Sequence, residues 1–81
     1  MRVSVKLFAV ARQRVGHSTI EVELPADATV RHLRGALAEQ FPPLADILPH
    51  TRIAVSNEYA ADTTSITPAI EIALIPPVSG G

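Results

Sequence analysis

Ile70-Glu71-Ile72-Ala73-Leu74-Ile75-Pro76-Pro77 is the stretch that decides the fold. Ile70, Ile72 and Leu74 alternate with Glu71, Ala73 and Ile75, the period of two of a β-strand, and even the intervening positions are mostly apolar. A strand that is apolar on both sides belongs in the middle of a covered sheet. The two prolines then hold φ near about −65° and have no N–H to donate, so they end the strand and carry the chain on as a stiff, extended arm. That arm is Pro76-Pro77-Val78-Ser79-Gly80-Gly81. Without β-carbons, Gly80 and Gly81 could thread a channel only wide enough for backbone, leaving the Gly81 carboxylate unhindered. By composition alone, Ser-Gly-Gly reads more readily as a flexible tail.

The segments before this strand fall into a simple order. Val3, Val5 and Leu7 alternate with Arg2, Ser4 and Lys6, predicting a first strand with one buried face. Residues 8–15 are richer in helix formers, and Gly16 can close a short helical turn. Ile20, Val22 and Leu24 alternate with Glu21 and Glu23 in a second strand, which Pro25 stops. Thr29 can cap a helix with Val30, Leu33, Leu37, Ala38 and Phe41 on one stripe and Arg31, Arg34, Glu39 and Gln40 pointing outward. Gly35 weakens that helix intrinsically, and Pro42-Pro43 ends it. A short turn is expected over 44–48, closed by Pro49. Arg52-Ile53-Ala54-Val55-Ser56-Asn57 reads as a third strand entering a turn, with Glu58-Tyr59 beyond it and a short extended piece over 63–66.

Two strands, one covering helix and further strands make an α+β, two-layer pattern. With a right-handed crossover and the first strand paired alongside the last, the expected arrangement is a β-grasp: a mixed sheet, one main helix and an extended C-terminal Gly-Gly tail. Residues 1–75 would form the domain and 76–81 the tail.

At 81 residues, 47% hydrophobic and 19% charged, the chain has the composition of one folded globular domain. Seven basic and eight acidic residues, without a basic run, argue against partnership with nucleic acid or an anionic membrane. There is no cysteine, hence no thiolate metal site or persulfide. The N-terminal residues lack a signal-peptide core and no apolar run approaches membrane-spanning length, so the expected location is cytoplasmic.

A self-contained active site is not expected. His17, His32 and His50 are too scattered for a short metal-ligand motif and read as surface histidines, so no metal is expected. The four glycines form no phosphate-binding loop, so no bound cofactor is expected and any nucleotide must be held by a partner. The serines lack a nearby His with an orienting acid, and Glu21 and Glu23 read as a wet sheet face. Phe8 and Ile75 stand out because each falls on the strand face opposite its neighbours' core residues. With Pro76 and Val78 they could form an apolar docking patch beside the arm.

Leu7-Phe8-Ala9 with Arg12, then Asn57-Glu58-Tyr59, and above all Ala73-Leu74-Ile75-Pro76-Pro77-Val78-Ser79-Gly80-Gly81 resemble the small, sulfur-carrier subunit of molybdopterin synthase, a ubiquitin-like β-grasp family. The resemblance spans essentially the whole chain. It departs at Pro68-Ala69, where the family usually has Gly-Asp, and at Ile75, where some members carry an aromatic. The resemblance implies that a ubiquitin-activating-like adenylating enzyme uses ATP to convert the Gly81 carboxylate to an acyl-adenylate. A sulfur donor enzyme then displaces AMP to give a thiocarboxylate. The tail would insert into the molybdopterin synthase large subunit, which supplies the catalytic side chains, and deliver sulfur to cyclic pyranopterin monophosphate. Partner contacts are implied at Phe8, Arg12, Ile75, Pro76, Pro77, Val78, Ser79 and Gly80, with chemistry at Gly81. A carrier serving thiamin or tRNA thiolation, a ubiquitin-like protein modifier and a plain adaptor remain open as alternatives.

Overall fold

The computed structural model describes residues 1–77. Five strands, β1 (Arg2–Leu7), β2 (Thr19–Glu23), β3 (Arg52–Val55), β4 (Glu58–Tyr59) and β5 (Ile72–Ile75), accompany two helices, α1 (Ala9–Val15) and α2 (Val30–Gln40). The strands form one mixed sheet in the order β2-β1-β5-β3-β4. β5 thus lies at the centre, as its apolar density requires, parallel to β1 on one side and antiparallel to β3 on the other.

The period of two is realised in the burial. Val3, Val5 and Leu7 of β1, Ile20 and Val22 of β2, Ile53 and Val55 of β3, and Ile72 and Leu74 of β5 all turn to one side and are buried. α2 lays Val30, Leu33 and Leu37 on that side, and Leu44, Leu48 and Ile66 complete the core. Each fully buried side chain of this size contributes roughly 1.5–3 kcal/mol of transfer free energy, most of it opposed by chain entropy.

Several boundaries differ from expectation for local reasons. The third strand stops at Val55 because Ser56 and Asn57 both take positive φ (52° and 68°), forming the two-residue turn that joins β3 to β4. β5 starts only at Ile72; upstream, the Glu71 carbonyl accepts the Ser56 N–H at 2.8 Å. The extended piece over 63–66 reduces to a single bridge between Thr29 and Ser65. Pro42–Leu44 and Leu48–His50 are 3-10 turns, so Pro49 sits inside a turn and does not close one. Proline suits such first positions, where its missing N–H would find no intrahelical acceptor.

Arg34, His32 and Gln40, expected at the surface, also hold backbone groups, and of the three only Arg34 is withdrawn from full exposure. Arg34 is half-buried: its Nη1 donates to the carbonyls of Leu48 and Thr51 at 2.6 and 2.7 Å, and its Nε to Asp62 at 3.2 Å. Thr29 caps α2 through a capping box in which His32 Nδ1 accepts the Thr29 N–H at 2.9 Å. Gln40 reaches the outer edge of β2, where its Oε1 accepts the Glu23 N–H at 3.1 Å and its Nε2 donates to the Glu23 carbonyl at 3.0 Å. That amide occupies the ladder position a foreign strand would take.

Candidate functional site

α2 covers one face of the sheet and leaves the other open. The pairing register carries one row of residues across that open face: Lys6 beside Ala73, Ala73 beside Ala54, and Ala54 beside Tyr59. Two alanines at the centre leave a low floor. Ala54 is buried although it lies outside the core cluster. Phe8 (48% exposed) and Tyr59 (61% exposed) rise on either side, and Ile75 and Asn57 complete a groove of ≈ 560 Å³.

Local geometry places each wall. Ala9 takes a positive φ of 52° directly after Phe8, so the chain turns sharply into α1 and Phe8 stays at the end of β1. Tyr59 is positioned by the two-residue turn, which returns β4 alongside β3. Lys6 and Glu71 are both groove-lining and pair at 3.2 Å, neutralising each other. Apolar walls around one neutralised ion pair suit binding of a partner surface.

A smaller hollow of ≈ 220 Å³ adjoins the groove, lined by His50, Arg52, Tyr59, Ile75, Pro76 and Pro77. Here the Arg52 guanidinium carbon lies over the Tyr59 ring, 4.7 Å from its centroid.

The residues expected to meet a partner are thus divided. Phe8 and Ile75 do line one groove. Pro76 does not join them on an exposed patch: it is buried, and it borders the second hollow together with exposed Pro77. Strand alternation explains this, since Pro76 continues the Ile72–Leu74 side. Arg12 is exposed on α1 and is absent from the groove lining. Val78, Ser79, Gly80 and Gly81 lie outside the described residues. The sequence reading missed Lys6, Ala54, Ala73, Asn57, Tyr59 and Glu71 as one lining, although Asn57-Glu58-Tyr59 had already been noted as a distinctive stretch. Among the described residues, no cluster of three or more His, Asp or Glu could hold a metal ion. Nor is any helix among them long and apolar enough to cross a membrane.

Residues 5–81 match the ThiS family. This chain belongs to the ThiS family. The molybdopterin synthase sulfur carrier subunit of Caenorhabditis briggsae is 40% identical over 81 residues, covering 98% of this chain and 96% of that protein. The protein of the same name from Arabidopsis thaliana is 31% identical over 81 residues, covering 100% of this chain and 84% of its own. The crystal structure of SAMP1, a small archaeal modifier protein from Haloferax volcanii, superposes with a TM-score of 0.86 at 31% identity, covering 100% of both chains. The shared architecture of this ThiS-family member is the ubiquitin-like β-grasp.

Proposed function

We propose that this chain is a sulfur carrier in molybdenum cofactor biosynthesis, the small subunit of a molybdopterin synthase. The observation that carries the reading is full-length similarity to sulfur carrier subunits of molybdopterin synthase. The terminal Ser79-Gly80-Gly81 and the placement of Pro76-Pro77 at the end of the central strand support it.

In this reading the Gly81 carboxylate oxygen attacks the α-phosphorus of ATP on an adenylating enzyme, releasing pyrophosphate and forming an acyl-adenylate. Hydrosulfide released by a donor enzyme then adds to the acyl carbon and AMP departs. The product is a C-terminal thiocarboxylate, a soft nucleophile carried without any cysteine. Its sulfur attacks cyclic pyranopterin monophosphate on the large subunit, and water then hydrolyses the acyl–sulfur bond, leaving the sulfur on the pterin and regenerating the carboxylate. The groove between Phe8 and Tyr59 serves as the docking surface for these cytoplasmic partners, and the carrier itself binds no cofactor. Intact mass after incubation with ATP, the adenylating enzyme and a sulfide source tests this. The expected change is one oxygen replaced by sulfur at Gly81, and sulfur found elsewhere, or none, overturns the reading.

The likeness to a small archaeal modifier protein favours a second reading, in which the activated Gly81 carbonyl is joined to a lysine amine of another protein. Covalent adducts in cell extract, resistant to thiol reagents, would distinguish it.

A further inference from the structure

We infer that the hollow formed by Arg52 and His50 is a docking point for an acidic side chain, Asp or Glu, on the protein that receives the tail. The inference rests on the carrier reading above and goes beyond it by naming the charge that the partner presents and where.

Arg52 pairs with Ile75 in the β3–β5 register, so its cation stands directly across from the last residue of the central strand, where Pro76-Pro77 leads away. His50 lies two residues earlier. Thr51 between them is extended (φ −98°, ψ 134°) and buried, so His50 and Arg52 project to the same exposed side. Arg2, Lys6, Arg14 and Arg34 each have a carboxylate within salt-bridge distance; among the described residues Arg52, like Arg12 and Arg31, has none, and of these three only Arg52 borders the hollow. Its guanidinium is held over Tyr59, which restricts the side chain and leaves N–H donors for a planar, two-oxygen acceptor.

The hollow is continuous with the groove through Tyr59 and Ile75, which line both. At its other end the groove is neutralised by the Lys6–Glu71 pair. A partner spread over this face therefore meets positive charge at Arg52, with the His50 imidazole beside it. An acidic group there would fix the partner's orientation as the tail enters it, and would speed encounter.

The test is association kinetics of the full chain with the molybdopterin synthase large subunit and, separately, the adenylating enzyme, at low and high salt. The variants are Arg52→Glu, Arg52→Lys and Phe8→Asp, with circular dichroism confirming that each is folded. Arg52→Glu is expected to slow association about tenfold or more at low salt with at least one partner, with the deficit shrinking at high salt. Arg52→Lys, which keeps the charge and loses the planar fork, is expected to retain most of the association rate. Arg52→Glu that associates like the parent while Phe8→Asp is impaired overturns the inference and leaves the carrier reading intact. A parent chain that binds neither protein overturns both.

Discussion

The guanidinium of Arg34 donates to the Thr51 carbonyl at 2.7 Å, tying α2 to the residue that leads into β3. The same nitrogen also reaches the Leu48 carbonyl, so one helix side chain satisfies two backbone acceptors from a segment with little regular structure of its own. Arg34→Met should leave both without this donor and cost about 1.5–3 kcal/mol, the usual range for hydrogen bonds to a charged group. For a domain of this size that is a fall in Tm of roughly 6 °C or more. Thermal unfolding of the variant checks this, and an unchanged Tm would show that water replaces the contact at no cost.

Gly35 has the opposite character. A β-carbon built there meets no atom within 4 Å, and the position is inside α2. Gly35→Ala should therefore raise stability by about 0.5–1 kcal/mol, through reduced freedom of the unfolded chain and better helix propensity. Urea titration is the measurement; a midpoint that moves down would reveal a steric conflict that the geometry denies.

His32 should respond to chemistry more than to size. Because its Nδ1 accepts the Thr29 N–H, His32→Gln should keep most of the cap, whereas His32→Ala should cost about 1 kcal/mol. Equal stabilities for the two variants would remove the acceptor role.

Filling the groove should separate binding from folding. Ala73→Tyr places a large ring on the floor between Phe8 and Tyr59, and Phe8→Asp removes an apolar wall. Either should weaken large-subunit binding tenfold or more, equivalent to about 1.4 kcal/mol or above. Calorimetric binding together with a melting curve gives the comparison, and a variant that binds normally places the interface elsewhere.

Removal of Gly81 should slow thiocarboxylate formation about 10²-fold or more, since the carboxylate left on Gly80 falls one residue short of the position at which it is activated. Mass spectrometry of the loading reaction decides it. A truncated chain that acquires sulfur as fast as the full chain would refute the assigned atom.

Much of the scaffold was legible because strands and helices announce themselves through periodicity. Val3-Val5-Leu7 and Ile20-Val22 needed no tertiary information, and the density of Ile72-Ala73-Leu74-Ile75 was enough to place the last strand centrally. Arg34 was misread as outward-pointing because its acceptors, the carbonyls of Leu48 and Thr51, come from a segment whose path no periodic pattern records. His32 was passed over because a histidine at the third helical position is not the usual Glu or Gln of a capping box. Phe8 and Ile75 could be selected from alternation alone. Tyr59 could not, because its place in the row depends on where the Ser56-Asn57 turn sets the β3–β4 register.

The central place of β5 also bears on the order in which the sheet can be completed. Lys6 and Glu71, paired across β1 and the approach to β5, are separated by 65 residues, and β5 is the last of the five strands in sequence. A ribosome therefore releases nearly the whole domain before the middle of the sheet can be filled. Until then β1 and β3 have no strand between them, and their inner ladder groups stay unpaired. Any chain broken off before Ile72 lacks both the keystone of its sheet and the segment that follows. Until β5 is seated between β1 and β3, Pro76 and Pro77 have no ordered strand to lead away from.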